Sequence, residues 1–122
     1  MFFSNSRWPP HYYVAEIDGQ VVGCGGYRSA WLMSNTYELI WVNVKKEFQG
    51  QGIGKALTKK RINRIKELGG TLILLMTQTK QQFFEQFGFS RSEMYWNSDV
   101  SKIMPWRLMS LQLGPVEIAG DK

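Results

Sequence analysis

Three glycines at alternate positions, Gly50, Gly52 and Gly54, separate an apolar run over residues 39–44 from an amphipathic stretch that begins at Ile53. Glycine lets a ligand approach bare backbone, and the first N–H groups of a helix have no partner inside it. Such an arrangement favours phosphate, through the unpaired donors and the positive end of the helix dipole. The pattern is not a Walker loop. Counting back from Gly54 and Lys55, that motif needs a glycine where Gln49 stands and a hydroxyl where Ala56 stands. A dinucleotide-binding G-x-G-x-x-G beginning at Gly50 fails as well, because Lys55 occupies the place of its last glycine. What fits is Q-x-x-G-x-G, carried by Gln49, Gly52 and Gly54 behind a hydrophobic strand.

Few other side chains suggest chemistry. Glu38 is a carboxylate at the start of the apolar run. Cys24 lies in a strand-like run with the only histidine, His11, ahead of it, so packing is its expected role rather than nucleophilic attack. Lys59, Lys60, Arg61, Arg64 and Lys66 fall on one helix and read as a solvated outer face. No metal is expected.

The elements that must position these residues follow from periodicity and turn chemistry. Residues 12–17 and 21–27 are β-rich and joined by Asp18 and Gly19, a strong hairpin signal. Gly23, Gly25 and Gly26 weaken the second strand and mark a bulge or a close approach by another backbone. Residues 28–36 read as a loop, in which Trp31, Leu32 and Met33 cover a cleft or a partner surface. Residues 37–44 are apolar on both faces and therefore central. Ile53, Ala56, Leu57, Ile62, Ile65 and Leu68 recur at helical spacing, and Gly69 and Gly70 end that helix. Residues 71–76 form an apolar strand, so strand, crossover helix and strand imply a parallel pair. A short helix over 80–86 carries Phe83, Phe84 and Phe87, and strands over 90–97 and 105–113 close the fold.

Three blocks in this order, YYVAEIDGQVVGCGGYR, ELIWVNVKKEFQGQGIGKAL and QQFFEQFGF, resemble the GNAT superfamily of acetyl-CoA-dependent N-acetyltransferases. The resemblance spans about residues 12–89. It implies an α+β fold of α/β three-layer type, with a mixed, mostly antiparallel sheet whose central parallel pair is joined by a crossover helix. It implies acetyl-CoA as cofactor. The pyrophosphate of coenzyme A would meet the amides of Gln51, Gly52, Ile53, Gly54 and Lys55, beside Gln49 and Gly50. The pantetheine arm would pair with Val42, Asn43 and Val44, and the Val44 amide would polarise the thioester. Lys55, with Lys59 or Lys60, would help hold phosphate. Glu38, six residues before Val44, matches the general base of the histone-acetylating branch. Its plainer reading is a glutamate paired with Arg28.

The resemblance also implies departures. Phe84 stands where many members carry a proton-returning tyrosine, and Tyr27, Tyr37 and Tyr95 are substitutes for it or packing residues. The Thr77-x-Thr79 run is similar to amino-acid-acetylating relatives, which suggests a small amine acceptor of amino-acid type and leaves a peptide or protein amine open. Members usually have a strand and two helices ahead of the hairpin. Here at most eleven residues precede it, so the chain is a minimal version, borrows that wall from another subunit of an expected homodimer, or is a truncated product.

With 122 residues the chain is expected to form a single domain, with residues 1–11 as a lead-in and 114–122 as a tail. Apolar content of 43% and aromatic content of 14% place it among globular proteins. One cysteine excludes an internal disulfide and suits a cytoplasmic setting. No signal peptide is expected, and no apolar run approaches the roughly 20 residues of a membrane span. The formal charge of +5 suits an acidic small molecule or nucleic acid, but no nucleic-acid signature accompanies it. Three readings result: an N-acetyltransferase, a catalytically degenerate CoA-binding module or subunit, and a small basic nucleic-acid-binding domain.

Overall fold

The computed structural model describes residues 10–30, 33–96 and 106–114. Trp31 and Leu32, the lead-in up to residue 9 and the tail beyond Gly114 lie outside the described residues. The elements are β1 (His11–Ile17), β2 (Gln20–Ser29), β3 (Thr36–Val44), a one-turn 3-10 helix (Lys46–Phe48), α1 (Ile53–Glu67), β4 (Leu72–Thr77), α2 (Gln81–Glu85), β5 (Ser90–Trp96) and β6 (Trp106–Gln112). They build one six-stranded sheet in the order β1-β2-β3-β4-β6-β5. Among the described residues only β3 and β4 pair in parallel.

Local chemistry accounts for the punctuation. Asp18 and Gly19, at φ 51° and 79°, make the tight turn of the first hairpin. Gly69, at φ 84°, ends α1, and the Gly70 amide reaches back to the Ile65 carbonyl at 2.9 Å. A Cβ at Gly70 would lie 2.4 Å from the Ile65 side chain, so the tight exit into β4 requires glycine there.

The core gathers Tyr27, Leu39, Ile62, Ile65, Ile73, Leu75, Phe84, Phe89 and Met109. Each fully buried aliphatic side chain, such as Ile65, Ile73 or Met109, contributes about 1.5–3 kcal/mol. Strand pairing puts Tyr13, Gly25, Tyr27 and Leu39 on one face of the sheet, and α1 packs there: the Lys60 ammonium lies over the Tyr13 ring, 5.2 Å from its centroid.

Two departures from regularity distinguish β3 from its neighbours. The β3–β4 ladder pairs only Thr36, Tyr37 and Glu38 with Leu72, Ile73 and Leu74. Beyond Glu38 the two strands part. In the same stretch the β2–β3 register shifts between Gly25 and Gly26: Gly26 opposes Ile40 and Gly25 opposes Val42, leaving Trp41 as the extra residue. Trp41 adopts φ 44° and is 75% exposed. An aromatic residue in that left-handed region is held there against its own preference.

The helical periodicity misplaced three residues. Arg61 belongs to the inner face of α1, at 1% exposure, rather than to the solvated one, because it follows the buried Leu57 and Thr58 by four and three positions. Ala56 and Leu68, expected inside, are exposed.

Candidate functional site

Along the part of β3 that has left β4, a cavity of about 540 Å³ lies between the second half of β3, the glycine loop, the first turn of α1 and α2. Its lining includes Val42, Asn43, Val44, Gln49, Gly50, Gly52, Ile53, Gly54 and Lys55. The sequence motif therefore comes together in space as a single concave surface.

The amides of that surface are available. The first α1 hydrogen bond runs from the Ala56 amide to the Gly52 carbonyl at 2.9 Å, and no side chain caps the helix. Gly52 is the N-cap at φ 82°, and Gly50 has φ 83°. These positive angles suit glycine and swing the loop backbone into the first turn. Among the described residues no acceptor lies on the amides of residues 50–55.

The strand side of the cleft is set by ladder parity. The Lys45 amide donates to the Val22 carbonyl at 2.8 Å, which makes that pair hydrogen-bonded. Val44, opposite Gly23, then falls on the alternate type of pair, whose N–H and C=O point away from β2. They face the cleft. The Gln49 amide group donates to that Val44 carbonyl at 3.0 Å, which ties the glycine loop to the strand and leaves the Val44 N–H open. Val42 shares this parity, whereas the Asn43 backbone turns to β2. Lys55 and Lys80 lie on the lining, and no carboxylate does. The site combines unpaired loop amides and two lysines with an open strand edge beside them.

The remaining candidates occupy varied settings. Gln51 is exposed and outside the lining. Phe84 is 6% exposed in the core, edge-on to Phe83 and Phe89, and it is Phe83, one residue earlier, that lines the cleft. Lys60 is occupied over Tyr13. Glu38 accepts from the Arg28 guanidinium at 2.9 Å, the plainer pairing foreseen for it. Tyr27 is buried in a ring stack with His11 and Tyr13. The Tyr95 side chain is outside the described residues.

Sequence reasoning missed Phe48, Lys80, Phe83 and Gln86 on the lining. Phe83 carried a signal: with Phe84 and Phe87 on one short helix, only one of two adjacent phenylalanines can face the core. Arg61 was missed as an inward-facing group. Its guanidinium lies beneath the β3 bulge, and burial pushes its pKa down from the ordinary arginine value to about 10, with an opposing electrostatic contribution from Cys24. It stays charged at neutral pH.

Comparison with known proteins agrees with this geometry. The model of the Acetyltransferase (GNAT) family matches residues 1–89. The chain belongs to the GNAT family of acetyltransferases. It is 30% identical over 107 residues to N-acetyltransferase 8B of Mus musculus, covering 82% of this chain and 44% of that protein. It thus spans less than half the length of this sequence relative. The fold superimposes on an aminoglycoside 6'-N-acetyltransferase complexed with coenzyme A with TM-score 0.75 and 15% identity, covering 89% of this chain and 76% of that one. A GNAT family acetyltransferase from Elizabethkingia anophelis with acetyl-CoA bound gives TM-score 0.70 and 18% identity, covering 85% and 76%. No helix among the described residues is long and apolar enough to cross a membrane.

Proposed function

We propose that this domain transfers an acetyl group from acetyl-CoA to a primary amine in a ternary complex. The single observation that carries the reading is the continuity of one cavity from the free amides of Gly50 and residues 52–55 to the outward-facing Val44 amide on β3. The loop amides hold the diphosphate, with about 1 kcal/mol added by the helix dipole. Lys55 and Lys80 supply further positive charge. Acetyl-CoA would bring an activated acyl carbon, whose C–S bond breaks as the C–N bond to the amine forms. The Val44 N–H stabilises negative charge on the carbonyl oxygen. Holding acyl carbon and amine together supplies much of the rate. Glu38 accepts the amine proton, directly or through water, once its carboxylate is released from Arg28. A small amine of amino-acid type is the proposed acceptor class.

The experiment is a thermal melt with and without 1 mM acetyl-CoA, followed by a thiol-release assay against a panel of amines. Ligand binding to the native state raises the midpoint by linkage, and turnover liberates free thiol. The absence of a shift at this concentration overturns the reading.

The second reading is a CoA-binding module without turnover. It is favoured by the Arg28–Glu38 ion pair and by the burial of Phe84 where a proton donor would stand. It predicts the thermal shift without thiol release.

A further inference from the structure

We propose that Arg61 is a positioning residue for the acyl end of the cleft: its buried guanidinium braces the carbonyls of Gly26 and Ile40 at the β3 bulge and so aims the Val42 and Val44 amides into the cleft. The proposal rests on the functional reading above.

The geometry is dense for a single side chain. One terminal nitrogen donates to the Gly26 carbonyl at 3.0 Å and to the Ile40 carbonyl at 3.3 Å. The inner nitrogen donates to the Leu57 carbonyl at 3.2 Å, and the other terminal nitrogen to the Thr58 hydroxyl at 3.1 Å. That hydroxyl, fully buried, donates in turn to the Gly54 carbonyl at 2.8 Å. Arg61 therefore links the bulge in β3 to the first turn of α1, the two halves of the cleft.

A hydrocarbon side chain would fill the same volume without burying a cation, and among the described residues no carboxylate pairs with this one. What a hydrocarbon cannot do is satisfy carbonyls at a register shift, where the regular ladder is interrupted. Gly26 and Ile40 sit on the ladder side of that shift, immediately before Trp41. Room for the guanidinium comes from Gly25, where a Cβ would lie 3.0 Å from the inner nitrogen.

The bulge matters because strand parity is a period of two. Drawing Trp41 into the regular ladder, opposite Gly25, slips the register by one and turns each following amide to the opposite side. Val42 and Val44 would then face β2 and not the cleft. A brace on the carbonyl just before Trp41 holds the unfavourable φ of 44° and keeps the parity that the acyl end requires.

The experiment follows backbone amide chemical shifts of 15N-labelled protein titrated with coenzyme A and then with acetyl-CoA. In the wild type the amides of residues 50–55 respond to both ligands, and Val42 and Val44 respond to acetyl-CoA. In Arg61→Met the loop response persists, with affinity for coenzyme A within about threefold, while the Val42 and Val44 response is lost. Arg61→Lys restores part of it. A Val42 and Val44 response in Arg61→Met equal to that of the wild type overturns the proposal. Should Arg61→Met not fold, Gly25→Ala decides on the same measurements, since its methyl displaces the guanidinium without removing the charge. A wild type that responds at the loop but not at Val42 and Val44 refutes the acyl-end assignment and the proposal with it. A wild type silent at the loop refutes the cofactor reading itself.

Discussion

Gly54→Ala separates what glycine does for the fold from what it does for the ligand. Gly54 is the second residue of α1 and lies outside the positive-φ glycines, so alanine is compatible with its backbone. A Cβ there would meet Phe83 at 3.8 Å and Val44 at 3.9 Å, which is ordinary van der Waals contact. The unliganded protein should gain about 0.5–1 kcal/mol from the change, because glycine in a helix wastes backbone entropy. For a domain of this size that is a rise of roughly 2–6 °C in midpoint. Both contacted residues line the cleft, however, so on the proposed reading the new methyl occupies space that the cofactor would need to reach the loop amides. Affinity for coenzyme A should fall about tenfold or more, a loss of ~1.4 kcal/mol. Differential scanning fluorimetry with and without 1 mM coenzyme A, paired with calorimetric titration, reads both effects. Gly52→Ala is the control: nothing lies within 4 Å of its Cβ, but its φ of 82° makes alanine cost about 1–2 kcal/mol. A Gly54→Ala protein that melts higher and still binds coenzyme A as the wild type does would refute the claim that the ligand approaches this backbone.

The same geometry yields further outcomes. Glu38→Gln should lower acetyl transfer by about 10²-fold or more while leaving coenzyme A affinity unchanged, and steady-state kinetics beside calorimetry distinguishes the two. The melting midpoint should hardly move, since the exposed Arg28 pair contributes about 0–1 kcal/mol. Gly25→Ala should cost about 1–3 kcal/mol by crowding the buried guanidinium, and much less in an Arg61→Met background; additivity in a denaturant double-mutant cycle would contradict that contact. The depressed pKa of Arg61 fixes the sign of a pH effect. A cation whose folded pKa lies below its unfolded value destabilises the fold wherever it is charged, here by about 3 kcal/mol, and the cost is relieved as pH rises above about 10. Chemical denaturation should therefore give a stability difference between wild type and Arg61→Met that is flat from pH 6 to 9 and moves in favour of the wild type at higher pH.

Much of the site was legible because its signals are local. A buried strand, a loop needing positive φ and a helix start lie within neighbouring residues, so composition and spacing alone marked the glycine loop around Gly50, Gly52 and Gly54 that lines the cleft. Asp18 and Gly19 marked the hairpin, and Gly69 and Gly70 the end of α1, for the same reason. The parallel pair followed from a strand, helix and strand in succession. Gly25 and Gly26 announced an irregularity without saying what it served.

What the tertiary structure decided was everything whose partner lies far along the chain. Arg61 reads as one more cation on a basic helix, and its partners in the sheet are carbonyls 21 and 35 residues away. Phe83 and Phe84 are equal as letters, and only the packing of α2 sends one to the cleft and the other to the core. The insertion of β6 between β4 and β5 depends on competition among strand edges, which no single segment encodes. Above all, the bulge at Trp41 exists only in the register between two strands. Periodicity reports which residues want to be buried, whereas the direction of an amide in a sheet depends on the count of residues in the partner strand as well.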